Sequence, residues 1–158
     1  MDRTTPWPVR VLRIVRAGVS RLGFPHRPEP ATRRLGRLGE QAAARLLKRG
    51  GYQLLGTNVH VPFGEADLVC IAPDRSTIVI VEVKSRLRRE QAPVKSVSIA
   101  PEASVTALKR RKLLRISRYL IRANKWQSRP SRIDVIAADF DDADGQPRLT
   151  HHINAVKG

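Results

Sequence analysis

The sequence predicts an α/β domain in which helices flank a mixed sheet, with the element order αβββαβ followed by one more edge strand. Apolar residues recur at helical spacing over residues 32–49 and again over 102–124. Segments rich in branched apolar residues lie between and after these helices. We assign five strands to them, at 52–61, 64–71, 78–84, 132–140 and 149–153.

Turn residues and helix breakers mark the ends of these elements. The Gly-Gly pair at 50–51 stops the first helix, and Pro62 and Gly64 mark the turn between the first two strands. Residues 73–76, Pro-Asp-Arg-Ser, predict an antiparallel hairpin of the second and third strands. Residues 85–102 are expected to form a polar, basic loop. The second helix is expected to bury one face that carries Val105, Leu108, Ile116, Leu120 and Ala123.

A charged pair, Glu82 and Lys84, follows the apolar run 78–81 of the third strand. A run this rich in Val and Ile indicates a strand buried on both faces, where Glu and Lys are rarely found without a partner. Because residues two apart on a strand point the same way, Glu82 and Lys84 share one face. Taken alone, the pair fits either a functional site or an internal ion pair.

A second acidic segment opens the preceding strand, where Glu65 and Asp67 share one face. In an antiparallel hairpin the start of one strand lies beside the end of the next, so we expect Asp67 near Glu82 and Lys84. Paired strands lie about 4.8 Å apart, so the two carboxylates can share one cation. Mg²⁺ is typically held by one or two carboxylates together with water and phosphate oxygens. Asp67 alone would be an ordinary residue at a strand start, but the three residues together favour a metal site.

An ordered set of motifs spans roughly residues 34–156. Asp67 followed by Glu82-x-Lys84 on the next strand resembles the PD-(D/E)xK nuclease signature. The wider set resembles the bacterial YraN family, and it comprises Gly36-x-x-Gly39-Glu40-x-x-Ala43, Gly51-Tyr52, Asn58, Gly64-Glu65-Ala66-Asp67, Val81-Glu82-Val83-Lys84-x-Arg86, Lys109, Tyr119-Leu120, Arg132-Ile133-Asp134-Val135 and Asn154-Ala155. Two positions depart from the family pattern: His60 stands where an arginine is expected and Ala66 where an isoleucine is expected. A histidine lacks the permanent charge of a guanidinium, which weakens the phosphate contact expected at position 60.

The resemblance implies a restriction-endonuclease-like core, similar in fold to Holliday-junction resolvases. It implies that Asp67 and Glu82 hold Mg²⁺ or Mn²⁺ and that Glu40, on the first helix, completes both the metal site and the catalytic site. Without the resemblance, Glu40 would be a solvated helix residue. Lys84 is expected to position the attacking water or to stabilise negative charge in the transition state. Glu65 is an accessory candidate, with either Arg86 or a metal-bound water as its neighbour.

The charge balance indicates a polyanionic partner, because 30 Lys and Arg face 14 Asp and Glu for a formal net charge of +16. A merely basic surface is the alternative. On the second helix, arginines 111, 115, 118 and 122 form one stripe. Aromatic residues make up only 4% of the chain, so phosphate contacts are expected rather than base stacking. The predicted nucleic-acid contacts are Arg86, Arg88, Arg89, Lys109, Arg111, Arg115, Arg118 and Arg122.

Residues 1–31 differ from the domain at 32–158, which we interpret as nuclease-like. They form a basic, proline-containing arm that we expect to be flexible, with a basic amphipathic helix at a membrane surface as the alternative. Arginines interrupt every candidate apolar core of a secretory signal. No apolar run reaches the roughly 18 residues of a membrane span, and a cytoplasmic location is expected. The one cysteine, Cys70, excludes an internal disulfide, and no Cys/His spacing suits zinc.

We therefore expect a metal-dependent endonuclease that hydrolyses phosphodiester bonds in nucleic acid. DNA is the expected substrate, and it should be recognised by its structure rather than by its sequence. Two alternatives stay open. One is a nucleic-acid-binding module of the same fold without turnover, and the other is a basic interaction protein at a membrane or ribosome. The sequence also leaves a homodimer open.

Overall fold

A computed structural model describes residues 29–88, 106–142 and 145–157. Most of the predicted arm, at residues 1–28, lies outside the described residues, as do Arg89 and Val105. The elements are α1 (Ala31–Arg49), β1 (Gln53–Val61), β2 (Gly64–Ile71), β3 (Ile78–Leu87), α2 (Ala107–Ala123), β4 (Ser131–Phe140) and β5 (Arg148–Val156). Their order is the predicted one, so the αβββαβ core with a last edge strand is confirmed.

The five strands form one mixed sheet in the order β1-β2-β3-β4-β5. Strands β1, β2 and β3 are joined as antiparallel hairpins, β3 pairs with β4 in parallel, and β5 returns antiparallel to β4. Parallel neighbours need a crossover connection, and α2 lies within it. The β2–β3 turn is held by Asp74, whose carboxylate accepts hydrogen bonds from the backbone N–H groups of Ser76 and Thr77 and from the Thr77 hydroxyl. These hydrogen bonds lower the pKa of Asp74 well below its usual value.

The two helices cover opposite faces of the sheet, so the core has two halves. Leu113 and Ile116 of α2 pack with Ile80 of β3, whereas Leu47 of α1 packs with Val81. Because side chains alternate along a strand, the even-numbered residues of β3 face α2 and the odd-numbered ones face α1. All four residues of the apolar run 78–81 are buried, as predicted for a central strand. The same alternation carries the next even-numbered residues of β3 to the α2 side.

The second helix begins at Ala107 and not at residue 102, and the last strand extends to Val156 and not only to residue 153. Two further details of the sequence prediction are also wrong. The polar loop does not begin at residue 85, because β3 stays paired with β4 as far as Leu87. The buried face of α2 is made by Leu113, Ile116, Ser117 and Leu120, while Leu108 is 77% exposed and Ala123 is also exposed. Leu108 precedes Leu113 by five residues, which places it about 140° around the helix from that face. The helix begins at Ala107, where Thr106 Oγ1 accepts a hydrogen bond from the Lys109 backbone N–H.

Strand β4 carries a fully buried carboxylate, Asp134, on the α1 side of the sheet. Its Oδ1 accepts from Arg132 Nε at 3.0 Å and from the Asn154 backbone N–H at 2.8 Å, and its Oδ2 lies 2.9 Å from His151 Nε2. Arg132 also donates to the Tyr52 hydroxyl at 3.0 Å. Burial alone would raise the pKa of Asp134, but these partners outweigh it and hold the pKa below its usual value. The network ties β4 to β5 and to the start of β1.

Among the helices that the structure describes, none is long and apolar enough to cross a membrane.

Candidate functional site

The candidate site lies where β2 and β3 separate. Their last ladder pair in this direction is Leu68 with Val81, and the next residues of the two strands are Asp67 and Glu82. Beyond the ladder, Asp67 Oδ2 accepts a hydrogen bond of 2.7 Å from the Val83 backbone N–H. The side chain of Asp67 therefore takes the place of a backbone acceptor, and this holds its carboxylate beside β3. The hairpin brings Asp67 and Glu82 together in the way that the sequence predicted.

Glu82 is only 3% exposed, and two ammonium groups contact the same oxygen of its carboxylate. Lys84 Nζ lies 3.1 Å and Lys109 Nζ 2.7 Å from Glu82 Oε1. Lys84 comes from the same strand face, while Lys109 reaches across from the first turn of α2. A buried carboxylate needs such partners, because an unpaired charge away from water is costly. Burial lowers the pKa of Lys109, but the carboxylates of Glu82 and Asp67 more than compensate, so its pKa is raised.

Asp67 is the carboxylate of this group whose charge is least compensated. Burial, together with repulsion from Glu82 and from Glu40, raises its pKa to about 7. The Val83 N–H and Lys109 act in the opposite direction but do not outweigh it. At neutral pH, Asp67 is thus poised between holding a proton and holding another cation.

Because of this raised pKa, ionised Asp67 is expected to lower the stability of the metal-free protein at neutral pH. An ordinary aspartate releases its proton near pH 3.8, whereas folded Asp67 releases it near pH 7. Between these values the folded state binds more protons than the unfolded state, so stability falls as the pH rises from about 4 to about 7. Asp67→Asn removes this cost and keeps an acceptor for the Val83 N–H. In chelator at pH 8, we expect the variant to melt about 3 °C or more above the wild type, since 1 kcal/mol corresponds to about 2–4 °C in a domain of this size.

The measurement is the melting temperature of both proteins from pH 4 to pH 8. The gap should be small near pH 4, widen up to about pH 7 and then stay constant. A gap that does not change with pH would show that Asp67 titrates in the ordinary range.

Glu40 reaches the border of the site because α1 approaches β3 very closely. A Cβ atom at Gly39 would overlap Ser85 Oγ and lie 3.3 Å from the Ala138 Cβ, so glycine lets α1 approach β3 without a shift of these neighbours. The next residue, Glu40, accepts a hydrogen bond of 3.0 Å from Asn58 Nδ2. Asn58 has a φ of 48°, a left-handed conformation that asparagine tolerates better than most residues. Glu40 acts on Asp67 through its charge, while its own hydrogen bond is to Asn58.

The carboxylates suit a cation that is only partly enclosed by protein. Within the described parts of the chain, no group of three or more His, Cys, Asp or Glu side chains is arranged to hold a metal ion. Asp67 and Glu82, which repel each other, match the one or two carboxylates with which Mg²⁺ is commonly bound. The remaining ligands would be water and phosphate oxygens. The donor set therefore fits Mg²⁺ or Mn²⁺ held at Asp67 and Glu82, with Glu40 contributing negative charge at the border.

Glu65 has a different neighbour from the expected one. Its Oε2 lies 3.2 Å from Nδ1 of His60, and both side chains are about half exposed. The two residues face each other across the β1–β2 hairpin. Arg86 and a metal-bound water are the neighbours of Glu65 expected from the sequence, and the partner in the structure is His60.

The predicted nucleic-acid contacts fall into distinct environments. Arg111, Arg118 and Arg122 are exposed on α2, and none of them pairs with a carboxylate among the residues that the structure describes. The Arg115 guanidinium stacks 4.1 Å from the centre of the Phe63 ring, which also contacts Tyr119 edge to face.

The predicted nucleic-acid contacts at the end of β3 also differ in their surroundings. Arg86 is exposed, on the same side of β3 as Lys84, and Arg88 Nη1 lies 3.8 Å from Asp141 Oδ1. Arg89 lies outside the described residues.

Lys109 is the site residue whose position sequence reasoning missed. It was grouped with the outward-facing basic residues, yet it contacts buried Glu82. Helix geometry contained the signal: Lys109 lies about 180° around the helix from Arg118 and only about 40° from the buried Leu113. Lysine at that position must point towards the sheet.

The model of Uncharacterised protein family UPF0102 matches residues 39–138 of this chain, from the contact of α1 with β3 to strand β4. The chain belongs to this family. The match confirms the resemblance to the YraN family, which is the same family. Among its relatives are UPF0102 proteins of Pelobacter propionicus (32% identical over 81% of this chain and 86% of the relative), Symbiobacterium thermophilum (40%, covering 68% and 84%) and Pseudomonas aeruginosa (36%, covering 79% and 94%).

Proposed function

We propose that this UPF0102 protein is a metal-dependent endonuclease that hydrolyses phosphodiester bonds in nucleic acid, with DNA as the preferred substrate. The observation that carries the proposal is the pair Asp67 and Glu82. One carboxylate has a pKa raised to about 7, and the other is buried under two lysines at the end of a central strand. A carboxylate whose pKa is raised by burial and by a nearby like charge is a pattern that functional sites commonly show.

The roles follow from where each side chain lies. Asp67 and Glu82 would hold Mg²⁺ or Mn²⁺, which supplies Lewis acidity towards a phosphate and lowers the pKa of a bound water. Lys84, held against Glu82 on the same strand face, would orient the attacking water or stabilise the extra negative charge that develops on the phosphate. Glu40, at the border of the site, adds negative charge that favours the cation.

The basic face of α2 supports a nucleic acid as the substrate. The same helix sends Lys109 into the site from its first turn and presents Arg111, Arg118 and Arg122 to solvent. These arginines lie on the side of α2 that faces away from the sheet, so a nucleic acid bound there would contact the outer face of the helix whose first turn borders the carboxylate pair. Contacts of this kind go to phosphates, so they support recognition of shape rather than of base sequence.

Reversal of the basic face should weaken DNA binding and reduce its salt dependence. We expect the triple variant Arg111→Glu, Arg118→Glu, Arg122→Glu to flatten the slope of log affinity against log salt by up to about 2.7, since each phosphate contact contributes about 0.9 for duplex DNA. The loss should be similar for all sequences. Arg115 is left unchanged because it packs on Phe63.

The matched control reverses three exposed basic residues of α1, Arg45, Lys48 and Arg49, which belong to the helix on the other face of the sheet. It makes the same change in net charge, so it corrects for nonspecific attraction. Equal slopes for the two triple variants would place the nucleic acid elsewhere or exclude it.

The decisive experiment is a cleavage assay on single-stranded, duplex, flap and four-way-junction DNA. Turnover is expected with Mg²⁺ or Mn²⁺ and absent with chelator, and the preferred substrate should stay the same when its sequence is scrambled. No cleavage of any of these substrates, with DNA binding retained, would instead indicate a binding module of the same fold.

A further inference from the structure

Two lysines share one carboxylate oxygen in the candidate site. Lys109 Nζ and Lys84 Nζ lie 2.7 Å and 3.1 Å from Glu82 Oε1, and Lys109 has the shorter distance. One ammonium group is enough to neutralise one carboxylate. The second one is attracted by Asp67 as well, but it adds desolvation cost and repels the first.

The two lysines differ in how firmly they are held. Lys84 stands on β3 two residues from Glu82, in a stretch that is paired residue by residue with β4. Lys109 approaches from another element on a four-carbon stem, and its side chain is still 38% exposed. Both side chains can rotate, but Lys84 starts two residues from Glu82 on the same strand face, so it stays near the carboxylate when Lys109 leaves.

We propose that Lys109 occupies Glu82 only while no divalent cation is bound, and that cation binding transfers its ammonium group to a phosphate oxygen of the nucleic acid. The proposal rests on the proposed function and adds a residue to it. A divalent cation next to Asp67 and Glu82 would add two positive charges to a site where Lys84 already supplies one. Repulsion between like charges a few ångströms apart would then favour release of Lys109, and a phosphodiester is the nearest anion that the reaction would supply.

If Lys109 and the divalent cation compete for Glu82, removal of Lys109 should strengthen cation binding, whereas mutation of an active-site residue usually weakens it. Lys109→Met removes the competing cation but keeps a stem of similar length, so the protein alone should bind Mn²⁺ more tightly, by about tenfold for one unit charge at this range. The matched control is Lys112→Met. Lys112 is one turn away on α2, loses the same charge and packs over Gly64 rather than on Glu82.

The experiment combines calorimetric titration of Mn²⁺ with thermal melting, in the absence of nucleic acid. In chelator, Lys109→Met should melt below the wild type, because Glu82 loses one partner. In saturating Mn²⁺ that gap should close, because the contact no longer exists in either protein. In single-turnover cleavage with Mn²⁺, Lys109→Met should need more DNA for half-maximal rate than Lys112→Met does.

The outcomes separate this proposal from the proposed function. If the wild type binds Mn²⁺ through Glu82, as shown by loss of binding in Glu82→Gln, but Lys109→Met binds with unchanged or weaker affinity, Lys109 is a structural partner and only the present inference fails. A melting gap that persists in saturating Mn²⁺ leads to the same conclusion, and an equal DNA requirement of the two lysine variants removes the phosphate contact. If the wild type binds no Mn²⁺, or binds it equally in Glu82→Gln, both the inference and the proposed metal site are overturned.

Discussion

Asp67→Asn and Glu82→Gln are each expected to lower metal-dependent cleavage by at least the roughly 10²–10³-fold seen when one preorganised charged group is removed from an active site. Both substitutions replace a carboxylate by an amide of nearly the same shape, so the hairpin should stay folded. Asp67→Asn can still accept the Val83 N–H, and it should even gain stability above pH 7. A variant that is more stable and yet inactive would show that Asp67 is kept for chemistry rather than for folding.

Calorimetry with Mn²⁺ and the cleavage assay on the preferred DNA measure the effect. The control is Glu29→Gln, which removes a carboxylate that pairs with Arg37 on the surface at 3.5 Å, away from the β2–β3 hairpin. It should keep both cation affinity and turnover. Equal Mn²⁺ affinity in the wild type, Asp67→Asn and Glu82→Gln would remove the metal hypothesis.

The hairpin half of the site could be predicted from sequence because it depends on short-range rules. A turn of four residues fixes the antiparallel pairing of β2 and β3, and the alternation of side chains then determines which residues share a face. Those two rules are enough to bring Asp67 beside Glu82 and to put Lys84 on the same side. They require no knowledge of how the helices pack.

The helix contributions were harder to predict because they depend on tertiary packing. The partner of Lys109 depends on which face of α2 is buried, and Leu108, which the sequence predicts on that face, is exposed. The approach of Glu40 depends on the fit of Gly39 against Ser85, which no periodicity reveals.

The Asp134 network was missed for a related reason. Arg132 and Asp134 share a strand face and could be paired from sequence. The contact with His151 requires the register between β4 and β5, which is interrupted by an irregularity between Ile133 and Val135. This irregularity changes the pairing register, so the alternation of side chains along the two strands does not by itself give the partner of Asp134.

Lys84→Ala is expected to slow cleavage of bound substrate by about 10²–10³-fold, the range for loss of one donor that stabilises the transition state. The structure explains why the fold should survive this change. Lys84 is about one-third exposed, and Glu82 keeps Lys109 as a partner when Lys84 is removed. The buried carboxylate is therefore not left without a counter-charge, and the lost rate can be assigned to chemistry.

Single-turnover rates at saturating DNA, measured beside equilibrium binding, separate the two roles that a lysine can have here. A transition-state role requires the rate to fall while DNA affinity changes little, because the extra negative charge develops only during the reaction. Lys84→Arg should recover part of the rate by restoring a cation, but not all of it, because the planar guanidinium cannot reproduce the compact ammonium group. If the affinity collapses and the single-turnover rate survives, Lys84 is a ground-state phosphate contact, and stabilisation of the transition state must come from other groups in the site.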